Sequence, residues 1–231
     1  MPPMKNYFGI ALTFLILVGC AKESGPTLPV ITPTVYYKPV IDMKKMKCTA
    51  NETRDILDDE NKILVTLCSK EYSNCLLQGS CYVVEGVKMR SFVFTNKKDG
   101  ILRFTERREN RCPYGYGVKN ICLDPFYSVA ADANFHQAGD VIYVPGLVGL
   151  SLPDGTQHNG FLIVRDEGGA ILGEHRFDFF TGFYGAYDKG NVFTQAGLSE
   201  KKNKFGYQKM NEAIAQKVRE FRNYPNIPPI F

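Results

Sequence analysis

Several things are scarce in this chain, and each scarcity removes a class of protein. The most apolar stretch, Phe8 to Val18, is too short to cross a bilayer as a helix. No two cysteines have CxxC spacing, and the three histidines (His136, His158 and His175) do not flank the cysteines. A metal site is therefore disfavoured, and no cofactor motif is present. The formal net charge is only +4. No basic run is interleaved with aromatics, so nucleic acid is not an expected partner. The chain has no internal repeat and no low-complexity tract, and no cysteine follows Cys122.

What is present begins at the N-terminus. Lys5 precedes the short apolar run, which ends in Leu17-Val18-Gly19-Cys20. Residues 1–20 read as a signal peptide. Its end resembles a lipobox, which makes Cys20 the expected lipidation site and the lipid anchor the expected membrane contact. Ala21 rather than an acidic residue follows. In an envelope with two membranes, that sorts the protein to the outer one. Loss of residues 1–20 removes a single charge, Lys5, and the mild positive balance that remains favours an anionic wall polymer. About 210 residues are left, enough for one large core or two small ones. The six remaining cysteines are Cys48, Cys68, Cys75, Cys81, Cys112 and Cys122. An even number in an exported chain reads as disulfides, whose pairing the sequence does not choose.

Residues 21–33, with Gly25, Pro26, Pro29 and Pro33, read as an extended tether. Thr34-Val35-Tyr36-Tyr37 reads as a strand stopped by Pro39. Residues 41–62 read as a loop or short helix. Ile63–Leu67, Cys81–Val84, Ser91–Thr95, Val141–Val144 and Phe161–Val164 read as short strands broken by glycine turns, and residues 105–120 as a disulfide-tied surface loop. Tyr207, Met210, Ile214, Val218 and Phe221 recur at helical spacing and predict an amphipathic C-terminal helix of about four turns, ended by Pro225.

The most informative stretch runs from Val164 to Phe180. A strand ends in Arg165-Asp166, two glycines turn the chain, and Asp178 follows among Phe177, Phe179 and Phe180. Aromatic walls exclude water, which favours the neutral acid and raises a carboxyl pKa. A general acid needs such a proton near neutral pH. The bland reading, an aspartate on an exposed strand face, weighs equally on this pattern alone. His175 and Glu174 read as packed or solvated side chains rather than catalytic ones.

Asp132 in Val129-Ala130-Ala131-Asp132, Asp166 in Asp166-Glu167-Gly168-Gly169 and Asp178 in Phe177-Asp178-Phe179 resemble the three aspartates of the 3D domain, a double-psi β-barrel. Thr34-Val35-Tyr36-Tyr37-Lys38-Pro39-Val40 and Leu77-Gln78-Gly79-Ser80 resemble the opening strand and the groove motif of the membrane-bound lytic transglycosylase A family. The resemblance implies a mainly β fold: a six-stranded double-psi β-barrel with a reduced, disulfide-clamped insertion lobe and a C-terminal helix. The implied layout is a barrel over 34–200, with 3D motifs over 128–182 and the insertion at about 41–120, then a helix and tail over 201–231. Peptidoglycan glycan strands become the expected partner of a monomeric enzyme. Asp178 is implied as the general acid and base, with Asp166 beside it. Tyr37, Gln78, Gly79, Ser80 and Asp132 are implied as substrate-binding. For Tyr36 and Tyr37, strand alternation predicts that one faces the groove and one the core.

Two departures from the family pattern qualify this. The insertion is small, so the groove is expected to be shallow and wet, and hydrolysis can compete with anhydro closure. Eleven residues separate Asp166 from Asp178, about one more than the family pattern, which predicts a bulge in the hairpin between them. The carboxylates Asp166, Glu167, Glu174 and Asp178 also suggest an affinity for glycan bearing free amines. The rival class is a non-catalytic double-psi barrel module that binds wall polysaccharide.

Overall fold

The computed structural model describes residues 27–109, 111–200 and 202–229. The expected signal peptide, Cys20 and the first residues of the expected tether lie outside the described residues. The chain is mainly β. In order it forms β1 (Val30–Tyr36), β2 (Val40–Asp42), β3 (Thr53–Leu57), β4 (Ile63–Cys68), α1 (Ser69–Leu77), β5 (Ser80–Glu85), β6 (Lys88–Lys98) and β7 (Ile101–Arg107). It continues with β8 (Ser128–Ala131), β9 (Val141–Tyr143), β10 (Phe161–Glu167), β11 (Arg176–Phe180), α2 (Val192–Gln195), β12 (Phe205–Gly206), β13 (Gln208–Lys209) and α3 (Glu212–Phe221). β1 begins at Val30, inside the expected tether.

Two sheets result, each with its own core. The first has the order β12-β1-β11-β8-β10-β9-β13. β1 runs parallel to β11 and β8 parallel to β10, while β8 and β11 are antiparallel. Seven strands replace the expected six because one short segment is counted at both ends. Residues 205–206 pair with β1 and residues 208–209 pair with β9, so residues 205–209 tie together the two edges of the sheet. Closure removes exposed strand edges, which otherwise template association. Its interior is filled by Ile31, Val129, Ile142, Leu162, Val164, Phe177 and Phe179, among others.

The second sheet, β2-β5-β6-β7-β3-β4, is the insertion lobe between β1 and β8. Ile56, Leu67, Phe92 and Phe104 form its core with Cys75 and Cys81. Two disulfides, Cys48–Cys68 and Cys75–Cys81, clamp it, and Cys112–Cys122 closes the loop that returns to the barrel. A lobe this small buries limited apolar area, and cross-links compensate by restricting the unfolded chain. Its β2, β3 and two 3-10 turns occupy the segment expected as loop or short helix, and β7 extends through Arg107 into the expected surface loop. Helix α1 was not foreseen. Its apolar anchors Tyr72, Cys75 and Leu76 do follow helical spacing, but they are few and set among polar residues.

Buried charges fasten the lobes and the C-terminal tail. Lys38, in the crossover from β1 to β2, pairs with Glu109, donates to Ser91 Oγ (2.8 Å) and sits 4.1 Å over the Tyr82 ring. Burial pushes its ammonium below the ordinary lysine range, and the Glu109 charge partly offsets this. Arg165, fully buried, donates to the carbonyls of Cys122 (2.9 Å), Asn226 (2.6 Å) and Arg222 (3.2 Å). The C-terminal helix, α3, is shorter than expected. Asn211 caps it by accepting from Ile214 N–H (3.1 Å), which leaves Tyr207 and Met210 in the strand segment before it.

The return loop is held very close to the barrel at Gly117. A Cβ there would lie 2.1 Å from the Arg165 carbonyl oxygen and 3.0 Å from Leu123. Gly117→Ala is expected to destabilise the fold by about 2 kcal/mol or more through this overlap with backbone. Chemical denaturation measures it, and an unchanged midpoint would contradict the close approach.

Candidate active site

Three strand pairings bring the candidate residues into one row. Thr34 on β1 lies opposite Asp178 on β11, Asp178 lies opposite Ala130 on β8, and Ala130 lies opposite Asp166 on β10. Directly opposed residues project from the same face of a sheet. The two carboxylates therefore share a face, separated by a single small side chain.

A bulge produces this register. Val164 opposes Val129, but the next pairing is Asp166 with Ala130, so Arg165 is an extra residue. It lies ahead of Asp166, not in the hairpin between the two aspartates where a bulge was expected. The extra residue bends β10, turning Arg165 into the buried carbonyl cage while Asp166 joins the row.

Alternation along β11 sends Phe177 and Phe179 into the barrel core and leaves Asp178 on the other face. The expected wall of three phenylalanines is thereby corrected. The aromatics lining the groove near Asp178 are Phe180 and Tyr36, whose rings are 5.0 Å apart. Asp178 Oδ1 accepts a 2.6 Å hydrogen bond from Thr34 Oγ1, and Thr34 Oγ1 in turn accepts from Arg176 Nη2 at 2.7 Å.

Asp166 accepts from Glu167 N–H (2.9 Å), from the Tyr36 hydroxyl (3.1 Å) and from the backbone N–H of Val118. Those donors favour the carboxylate, yet burial outweighs them and lifts the Asp166 pKa to about 6. Tyr36 is pushed well above its ordinary value, first by burial and then by the Asp166 and Asp178 charges, so this hydroxyl stays a donor.

These residues line a groove of 560 Å³ between barrel and lobe. The lobe wall carries Gln78, Gly79 and Ser80. Gly79, at φ +74, ends α1 and lets β5 begin at once. Gln78 Oε1 accepts from Tyr37 N–H (3.0 Å), and the Tyr37 hydroxyl bonds to the Asn74 amide (2.9 Å). Tyr36 and Tyr37 both line the groove, because β1 ends at Tyr36 and strict alternation ends with it. Arg107, Tyr116 and Val118 line it as well. The sequence reading missed them, since their position depends on how the Cys112–Cys122 loop folds back. A larger hollow of 910 Å³, between Tyr114, Phe183 and the C-terminal prolines, contains neither Asp166 nor Asp178.

Asp132 does not line the groove. It accepts from Gly173 N–H (2.8 Å) and from Asn134 N–H (3.0 Å) and side-chain amide, and these bonds, that of Gly173 first, lower its pKa. It pins the turn before β11. His175 bonds to the Tyr207 hydroxyl (2.9 Å), and Glu174 is not a groove residue.

Residues 127–208, from the start of β8 through β13, match the family model of the 3D domain, and Asp132, Asp166 and Asp178 all fall within it. That segment of the chain is thus similar to the 3D domain. No curated protein sequence matches the chain. Among solved structures, Escherichia coli MltA with bound chitohexaose is similar over 77% of this chain and 70% of its own, at 17% identity and a TM-score of 0.52. A membrane-bound lytic murein transglycosylase from Agrobacterium tumefaciens is 14% identical over 80% of this chain and 75% of its own, with a TM-score of 0.49. LtgG of Burkholderia pseudomallei is 14% identical over 81% and 72%, with a TM-score of 0.44. The fold is similar to that of MltA.

The Asp166 shift carries a sign that can be checked. Its folded pKa, about 6, exceeds the ordinary 3.8, so the folded protein holds this proton more tightly than the unfolded chain. The resulting destabilisation is absent below about pH 4 and complete above about pH 6, at most about 3 kcal/mol and less for a partly exposed group. Asp166→Asn is therefore expected to raise Tm at pH 7 and to leave it nearly unchanged at pH 3.5. Thermal denaturation at both values decides, and equal shifts would refute the assignment.

Proposed function

We propose that the protein cleaves peptidoglycan glycan strands at the β-1,4 bond between N-acetylmuramic acid and N-acetylglucosamine. The observation that carries this reading is the Thr34–Asp178–Ala130–Asp166 row facing a groove between two lobes. The fold it shares with MltA, whose crystal structure contains chitohexaose, supports a saccharide in that groove.

Asp178 is the proposed acid and base. The Thr34 hydroxyl donates to Oδ1 and orients the carboxyl group that carries the proton for catalysis. Asp178 gives that proton to the bridging oxygen as the bond to C1 of the muramyl sugar breaks. The resulting carboxylate then removes a proton from the nucleophile that closes on C1. If the nucleophile is the muramyl 6-hydroxyl, the product is a 1,6-anhydro end. If it is water, the product is a reducing end.

One observation favours water. Asp166, in the same row with a pKa of about 6, is a second carboxyl group able to take up a proton near neutrality. Two strand spacings, roughly 10 Å between backbones, separate it from Asp178, so the two acids are not in direct contact across the sheet, an arrangement of the kind inverting glycosidases use to hold water between acid and base. A groove flanked by a small lobe also admits water. We infer that hydrolysis is the dominant outcome, and that the carboxylates Asp166, Glu167 and Asp178 on one wall favour glycan bearing free amines.

Export and a lipid anchor at Cys20 complete the reading. No helix among the described residues is long and apolar enough to cross a membrane. An intact mass corresponding to an acylated Cys20 at the mature N-terminus checks the anchor.

Incubation with isolated sacculi, acetylated and de-N-acetylated, tests the activity. Solubilisation is expected, faster for the de-N-acetylated wall, with reducing muramyl ends seen by mass spectrometry. Asp178→Ala is expected to lose at least 10²-fold in rate while still binding sacculi. An undiminished Asp178→Ala rate removes the mechanism. Binding without cleavage by the unaltered protein makes it a polysaccharide-binding module.

A further inference from the structure

The groove is electrically two-sided. Its barrel wall carries Asp166, Glu167 and Asp178, whereas Arg107, the last residue of β7, is the one cation among the described residues that line it. A solvated surface arginine would be loosely placed, but this one is held. Its guanidinium stacks 4.6 Å from the centroid of the Tyr116 ring, and Nη2 donates to Asn120 Oδ1 at 2.8 Å. Tyr116 and Asn120 both belong to the Cys112–Cys122 loop, the same loop whose Val118 N–H reaches Asp166. The disulfide loop therefore fixes a cation and the second carboxyl group in one frame.

We infer that Arg107 binds a carboxylate carried by the glycan, so that an anionic substituent on alternate sugars sets the register in which the strand enters. This rests on the proposed glycan cleavage and names what the groove reads. A guanidinium is planar and permanently charged, and it presents several donors. Arg107 lines the groove, and its guanidinium has donors beyond the one that meets Asn120. The acidic side chains opposite, Glu167 and Asp166, disfavour an anion at the barrel wall, so the substituent faces the lobe. On a strand in which only every second sugar is anionic, a shift by one sugar places a neutral residue at Arg107 and the wrong linkage at Asp178. In peptidoglycan the carboxylate has two sources: the lactyl ether of muramic acid where the peptide has been removed, or the carboxylates of the stem peptide where it remains.

The test uses Asp178→Asn protein, which binds without turnover, and calorimetric titration with three probes. These are chitohexaose, which is neutral, glycan strands freed of peptide, and strands that keep it. Tighter binding of an anionic strand than of chitohexaose is expected, with a ratio that falls as salt rises. Adding Arg107→Gln is expected to cut that ratio about tenfold, as for loss of a charge-assisted contact. Arg107→Lys, which keeps the charge, retains part of the preference. Melting temperatures confirm that each variant is folded. Preference for peptide-free strands assigns the lactyl group, and preference for peptide-bearing strands assigns the stem peptide. A ratio unchanged by Arg107→Gln overturns the inference while leaving the cleavage reading intact. Absence of binding to all three probes overturns both.

Discussion

One extra residue in β10 organises the rest of the site. Without the bulge at Arg165, alternation would place arginine opposite Ala130 and turn Asp166 inward. With it, an acid joins the row and a cation enters the interior. The cost of burying that guanidinium is met by carbonyls: Arg165 donates to Cys122, Arg222 and Asn226 while Asp124 sits 3.9 Å away. Asp124 also forms a two-armed pair with Arg222 at 2.8–2.9 Å. Return loop, barrel strand and C-terminal tail thus converge on one side chain. The close contact of Gly117 with the Arg165 carbonyl follows from the same convergence. The C-terminal segment, far from the groove in sequence, helps fix the position of Asp166 because it supplies the acceptors that hold the bulge.

The site is assembled from parts of different rigidity. Thr34, Asp178, Ala130 and Asp166 stand on hydrogen-bonded strands whose opposite faces are packed with Phe177, Phe179, Val129 and Val164. Such residues have little freedom to shift, which is what precise placement of a proton donor requires. The facing wall comes from a small sheet that cross-links help to stabilise. It meets the barrel through the Lys38–Glu109 pair and the Gln78–Tyr37 bond. The two acids therefore stand on the packed strands of the barrel, and the lobe supplies the opposite wall of the groove.

The legibility of this arrangement in the sequence depended on range. Asp178 was recognisable because its flanking phenylalanines needed a core, and alternation then forced the aspartate out; the error was to count those rings as its surroundings. The disulfide character of six cysteines was legible from their number and setting, while their partners depended on a fold not yet known. Closure by residues 205–209 left no trace, since two-residue strands carry no period. Helix α1 was hidden among polar residues. Arg107 and Tyr116 sit in a charged, glycine-rich stretch that resembles any surface loop until Cys112 and Cys122 are joined. Asp132 shows the opposite failure. It belongs to the aspartate pattern, but its oxygens are occupied by the Gly173 and Asn134 amides, so a motif position proved to be a turn anchor.

The two carboxylates differ in how the protein controls them, and that difference bears on which nucleophile wins. Asp178 is tied to Thr34 and, through it, to the Arg176 guanidinium, a chain of donors that orients one of its oxygens. Asp166 is governed chiefly by burial, which makes protonation near pH 6 a matter of enclosure. An intramolecular hydroxyl needs only one proton shuttle, because the same carboxylate can give and then take. Water that attacks from the face opposite the leaving group, as in inverting glycosidases, is activated by a second carboxylate, and under the proposed cleavage Asp166, across a single alanine, is the candidate for that task. Retaining a partly enclosed acid with no salt-bridge partner among the described residues costs stability above its pKa, and that cost is intelligible if, in the proposed cleavage, the acid positions or deprotonates an external nucleophile, a task that an internal hydroxyl closing on its own ring leaves to Asp178 alone.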